Sequence, residues 1–383
     1  MNLSRRHLVF GSLALPALAA KKPGETPHIV LILAENLPAW MLGCYGNKEI
    51  QTLHIDRLAQ TGTRFQTHIA GHALPGPARA SLLTGNAAGK TPNLDQLLGA
   101  AGYATRSVNS GAEAVQFIDD PASAAKPFFL TVTLSALTPP YPAAAKYLDR
   151  FANARFQTWE QVPAAGNIAA DKDAFGANLL PSLRKAAASV AAIDDEVGSI
   201  TGKLREKKLL DNTLIIFTAP TGSLLGRHGL WGGSTASDPA NFFEEVIAPP
   251  IIWTWPARIT PLGVRPEIAS AFDLVPTLCD LTPATLPSQD LPGRSYLLLV
   301  QGKLLPKKQP WRSTAFLTSG NDGVARDDRY KLVLRNDGKG PNELYDLRAD
   351  AQERVSQFDN PQFLTVKTQL SGELNRWRQK YAG

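Results

Sequence analysis

The chain has 383 residues, 44% of them apolar and 19% charged, the proportions of a globular protein with room for a large domain and a smaller appendage. Its formal charge of +6 is too mild and too scattered to point to nucleic acid. The 29 prolines and 30 glycines are dispersed, so they mark turns rather than disorder, and no repeat or low-complexity run stands out.

Residues 1–20 read as a cleaved export signal, with an uncleaved anchor as the alternative. Arg5 and Arg6 precede the apolar run Leu8 to Ala19, and Ala17-Leu18-Ala19 supplies the small residues that a signal peptidase prefers. Adjacent arginines resemble the twin-arginine type, which exports folded proteins to the periplasm or beyond. The run is shorter than the roughly 18 residues of a spanning helix, and no other segment is expected to cross a membrane. Losing both arginines lowers the net charge to about +4, which is compatible with an anionic ligand.

After a short linker, His28 to Leu33 is a continuous apolar run that suits a strand buried on both faces. A helix is predicted over Ile55 to Thr61, stopped by Gly62, and a helical turn over Ala80 to Thr84. Leu94 to Ala101 reads as a helix closed by Gly102, and Phe128 to Leu134 as a buried strand. Leu179 to Lys207 is a long amphipathic helix, with Val190, Ile193, Val197, Ile200 and Leu204 at spacings of three and four. Buried strands follow at Thr213 to Thr218 and Pro250 to Trp255. Beyond Pro306 come short alternating runs, Ser313 to Leu317, Tyr330 to Leu334 and Leu344 to Leu347, then a closing helix over Pro361 to Lys380. The expected fold is α/β: a large, mostly parallel mixed sheet sandwiched by helices over residues 27–305. A small antiparallel sheet and closing helix are expected over 306–383. Cys44 and Cys279 lie in apolar contexts and are expected as two separate buried thiols, although export would permit a disulfide.

The segment Pro75-Gly76-Pro77-Ala78-Arg79-Ala80-Ser81-Leu82-Leu83-Thr84-Gly85 resembles the sulfatase signature. Further blocks are similar to the same family, in the same order. They are Leu42-Gly43-Cys44-Tyr45-Gly46-Asn47, Ile55-Asp56-Arg57-Leu58-Ala59, Leu225 to Gly232, Phe272 to Leu278 and Glu343 to Leu347. The resemblance implies the alkaline-phosphatase superfamily fold, with the site at the carboxyl ends of the central strands. It also implies sulfate-ester hydrolysis by a formylglycine made from Cys or Ser, and a divalent cation, usually calcium.

Position by position, that chemistry thins out. Pro75 stands where the family keeps its nucleophile and offers neither hydroxyl nor thiol. The family's metal-ligand positions hold Glu35, Asn36, Pro220 and Thr221, one acid where three are usual. Calcium takes about 6–8 oxygens, so no metal or other cofactor is expected. Asn109-Ser110-Gly111-Ala112 stands where the family has its sulfate-binding Lys and His; Pro139-Pro140 replaces a Pro-His, and Gly233 a Lys. Arg79 and His228 remain as anion-binding remnants. Ser81 lies where the family also has a small structural residue.

Each remnant also has a structural reading. Arg79 either binds an anion or pairs with Glu35, since an acid without its cation needs a partner. His228 is either a remnant ligand or a histidine held by neighbouring backbone. His68 and His72, on a segment that reads as strand and loop, could join His228 in an improvised zinc site. Asn47-Lys48-Glu49 reads as a turn, and Glu244-Glu245 as structural. The expectation is an exported protein of sulfatase type that has lost catalysis and binds a sulfated or otherwise anionic small molecule or glycan, or a protein partner. An active sulfuric ester hydrolase with an atypical site, and a structural companion of a true sulfatase, are the alternatives.

Overall fold

The run beginning at His28 forms β1 (His28–Ala34), buried at every position. Its side chains alternate between two cores. Val30, Ile32 and Ala34 pack on one face with Val190, Ile193 and Val197, and Ile29, Leu31 and Leu33 on the other with Leu82, Leu94 and Leu278. Each such side chain contributes roughly 1.5–3 kcal/mol by burial, which is why a strand apolar on both faces sits at the centre of the sheet. The computed structural model describes residues 26–87, 91–135, 137–138, 141, 144–157, 169–170, 179–256, 258–288 and 290–382. The segment read as an export signal and Pro139-Pro140 lie outside them.

After β1 come α1 (Leu53–Gln60), β2 (Thr63–Ile69), α2 (Pro75–Thr84), α3 (Leu94–Ala100), β3 (Ala104–Val108), α4 (Gly111–Asp119), β4 (Phe128–Leu134) and α5 (Ala145–Arg150). Then follow β5 (Ala169–Ala170), α6 (Leu180–Glu206), β6 (Thr213–Thr218), β7 (Ser237–Asp238), α7 (Glu244–Ile247), β8 (Ile251–Thr254), β9 (Gly263–Ser270), α8 (Leu274–Leu281) and α9 (Leu297–Val300). Seven strands make one sheet in the order β3-β4-β1-β6-β8-β2-β9. Only β8 runs against its neighbours. A four-stranded antiparallel sheet follows from β10 (Ala315–Ser319), β11 (Asp322–Arg326), β12 (Tyr330–Leu334) and β13 (Glu343–Asp346), with α10 (Leu364–Tyr381) packed on it through Leu370 and Leu374.

The architecture is the expected one, with differences at particular elements. The turn predicted at Ala80 is a full helix that starts at Pro75, and the helix predicted from Ile55 starts at Leu53. β3, β9 and β11 are additional strands. β3 and β9 are the two edges of the large sheet, and exposed positions and half-buried charges interrupt them where an apolar run would have marked a strand. Cys44 and Cys279 are free thiols, each only partly buried rather than fully enclosed. Burial pushes the Cys44 thiol up to about 12, with Asp56 adding to it, and Cys279 up to about 11.

Several blocks similar to the family serve packing. The Asp56 carboxylate accepts from Cys44 N at 2.7 Å and from Thr52 Oγ1 at 2.9 Å, and a Cβ at residue 43 would collide with it, so Gly43 is required there. Asp273 receives Arg312 through both carboxylate oxygens at 2.5 Å and caps Ser270 N. Glu343 and Asp346 receive Arg335 and Arg329.

Candidate functional site

β1, β4 and β6 are parallel neighbours, and the loops leaving their carboxyl ends gather on one edge of the sheet. Open α/β sheets place ligands at that edge. Glu35 and Asn36 follow β1, Ser135 follows β4, and Ala219 to Thr221 follow β6. α2 aims its first turns at them. Pro75 is its first residue, a position where proline's fixed φ and missing N–H cost nothing. Leu82 anchors the helix in the core, and Gly85 ends it at a φ of 67°, in the left-handed region that favours glycine. The signature's frame is thus a complete, capped helix whether or not it carries a nucleophile.

Arg79 lies one turn after Pro75 and reaches Glu35. Its Nη1 donates to Glu35 Oε1 at 3.3 Å, and its Nη2 to Thr133 Oγ1 at 3.0 Å. The other Glu35 oxygen accepts from Ser135 Oγ at 3.0 Å. Of the two readings kept for Arg79, the structure contains the pair with Glu35. Both side chains keep about 30% of their surface exposed, so the network faces solvent. Pro75, Gly76 and Pro77 are exposed beside it and add no polar side-chain atom. Asn36 takes a φ of 59°, which Asn tolerates, and its amide nitrogen donates to Thr138 Oγ1 at 3.4 Å.

The loop after β6 is sealed. Pro220 and Thr221 are buried, and Thr221 Oγ1 has no hydrogen-bond partner. Gly222 N donates to Val246 O at 2.8 Å, and any Cβ at 222 would strike Glu245 O. His228 is buried and stacked on Phe243 at 3.6 Å. Its Nε2 hydrogen-bonds Glu245 Oε2 at 3.2 Å, so a side chain holds it, where the sequence left open a remnant ligand or a histidine held by neighbouring backbone. Arg227 takes the other Glu245 oxygen at 3.1 Å. Burial pushes the Glu245 carboxyl up, but the hydrogen bond and charge of His228, with the Arg227 charge, overrule it and hold it at about 2. Glu244 pairs with Arg326, so both glutamates hold structure, as expected.

Other residues named from the sequence fall elsewhere. Ser110 caps α4, accepting from Glu113 N at 3.2 Å. Ser81 is buried and donates to Ala78 O at 2.9 Å. Asn47 Oδ1 accepts from Glu49 N and Ile50 N, closing the expected turn. The zinc trio does not assemble. His68 is buried on β2, where burial pushes it down to about 4; His72 Nδ1 accepts from Leu74 N, and His228 is tied to Glu245. Among the described residues the one group of three or more side chains placed to share a metal is His54, Asp194 and Asp195. Thr133 and Ser135 are the site residues that sequence reading missed. The signal was available, since Thr133 lies at the end of the strand Phe128 to Leu134 and Ser135 just after it, at the carboxyl end expected to hold the site.

Chemically, the network can attract an oxyanion only in competition with Glu35. Ser135 bonded to Glu35 has the outline of a nucleophile with a base. A carboxylate is a far weaker base than the alkoxide that the alcohol would have to yield, and Arg79 occupies the other oxygen of the same carboxylate.

Comparison with known proteins agrees with this frame. The family model described as Sulfatase matches residues 27–113 and 109–284, and that of N-sulphoglucosamine sulphohydrolase, C-terminal, matches 232–380. N-acetylglucosamine-6-O-sulfatase of Bacteroides thetaiotaomicron is 22% identical, over 99% of this chain and 91% of its own. Human arylsulfatase A is 27% identical, over 87% of this chain and 79% of its own. A solved structure in complex with its substrate D-glucosamine-2-N,6-O-disulfate superposes with a TM-score of 0.78 at 19% identity, covering 93% of this chain and 98% of its own. The phosphonate monoester hydrolase of Agrobacterium radiobacter superposes at 0.76 and 21%, covering 93% of this chain and 96% of its own.

Proposed function

The chain belongs to the sulfatase family, and from that premise we propose that it is an exported, non-catalytic member with a weak, Arg79-centred affinity for sulfated or other anionic ligands. The observation that carries this reading is the closed network at the sheet edge, where Arg79 is spent on Glu35 and Thr133 beside a proline. A hydrolase that works through a covalent intermediate loses about 10⁶ in turnover, about 8 kcal/mol, with its nucleophile alone. Calcium does not fit the residues present. Glu35 is engaged by Arg79 and Ser135, Asn36 turns its amide nitrogen to Thr138, Pro220 has no side-chain donor, and Thr221 offers one neutral oxygen. One charged oxygen donor group falls far short of the charge-rich shell that calcium requires.

Two relatives are described by sulfated amino sugars, so that ligand class is the one to test first. Purified protein is assayed with an aryl sulfate and a 6-O-sulfated glucosamine. The expected result is no turnover above buffer. Turnover that disappears in Arg79→Ala would overturn the proposal. The Ser135–Glu35 hydrogen bond favours the active-hydrolase alternative, which predicts turnover that Ser135→Ala abolishes.

A further inference from the structure

Three ligand-bearing side chains outside the sheet-edge network converge where α1 meets α6. His54, the second residue of α1, and Asp194 and Asp195 of α6 place one ring nitrogen and two carboxylate oxygens within 4.8 Å of one another. We propose that they form a binding site for a divalent transition metal, with zinc the best match. Imidazole with carboxylates is a zinc-type donor set, whereas calcium takes oxygen alone.

The ring lies along α6 on a surface cleared for it by a glycine. A Cβ at residue 198 would stand 2.6 Å from His54 Cδ2 and 2.7 Å from Nε2, so Gly198 lets the imidazole lie against α6. Residue 198 is one turn beyond Asp194 and Asp195, on the same stretch of helix. Asp194 is nine-tenths buried and oriented by α1 itself. Its Oδ1 accepts from Ile55 N at 2.8 Å and His54 N at 3.0 Å, while Oδ2 takes only a longer contact to His54 N at 3.2 Å. Asp195 engages Arg150 through Oδ2 at 3.2 Å, a half-exposed pair that a metal can displace.

Two carboxylates and a neutral imidazole carry a charge that a divalent ion balances. Zinc bonds of about 2.0–2.2 Å would draw the three atoms together by about 1 Å, within reach of rotation by the exposed His54 ring. Three protein ligands leave a position for water, and a cavity of about 750 Å³ lined by His54, Asp195, Lys48 and Asp149 opens beside it as an entry path. None of these residues belongs to the Glu35–Arg79 network, so this inference stands or falls separately from the proposed function.

Chelator-treated protein is titrated with zinc by calorimetry, with bound metal counted by elemental analysis. One saturable equivalent is expected, weakened about tenfold or more in His54→Asn and in Asp195→Asn. Zinc should also raise the unfolding temperature of the parent protein and not of the variants. Circular dichroism in the absence of metal checks that both variants are folded. Lack of saturable binding, binding unchanged in folded His54→Asn, or calcium held more tightly than zinc would each overturn the site.

Discussion

If Glu35 competes with ligand for Arg79, then Glu35→Gln should tighten the binding of a sulfated sugar. Arg79 Nη1 lies 3.3 Å from the carboxylate, with both side chains about 30% exposed. At that separation the attraction in bulk water is about 1.3 kcal/mol, and solvent-exposed pairs retain about 0.2–1 kcal/mol after entropy and screening. Neutralising Glu35 therefore lowers Kd by about 1.5- to 5-fold at low salt. The gain should shrink as salt rises toward 0.5 M, where screening reaches only a few ångströms. The assay is calorimetric titration with 6-O-sulfated glucosamine, with Arg79→Ala as the control that loses binding. Unchanged or weaker binding by Glu35→Gln at low salt would refute the competition. Binding that survives in Arg79→Ala would place the ligand elsewhere.

Two further predictions concern the framework. Lys331 is fully buried on β12, donates to Phe242 O at 2.6 Å, lies 3.6 Å from Glu244 Oε1 and contacts Glu353. Lys331→Met leaves the buried Glu353 without its cation, while Glu244 keeps Arg326, and should cost about 3–5 kcal/mol in chemical denaturation, part of it recovered by adding Glu353→Gln. Glu245 has a folded pKa of about 2 against an ordinary 4.5, so its contribution is complete above 4.5 and lost as pH falls toward 2. Parent protein should lose up to on the order of 3 kcal/mol across that window, and Glu245→Gln should show a shallower decline. Equal slopes in urea midpoints at pH 5, 4 and 3 would count against the pairing.

Central strands were legible because a strand buried on both faces must be apolar throughout, as at β1, β4 and β6. The edge strands β3 and β9 were not, because one covered ladder suffices for an edge and leaves Arg106 or Pro266 exposed to solvent. The helix cap at Ser110 shows a different gap. Its resemblance to the family's pattern marked a lost Lys, whereas its position before Gly111 makes it a hydrogen-bond acceptor for α4.

That Pro75 cannot attack an ester follows from its covalent structure in any fold, and the thinning of acids at Glu35, Asn36, Pro220 and Thr221 is equally independent of geometry. Which partners the surviving side chains took was a matter of tertiary structure. Arg79 meets Glu35 across 44 residues and Thr133 across 54, and Ser135 meets Glu35 across 100. Those separations close only because β1 and β4 pair in parallel register, with Leu33 opposite Thr133, and α2 points its first turns at their ends. A local pattern constrains bond types and helix faces. Contacts between distant segments depend on how the sheet is assembled.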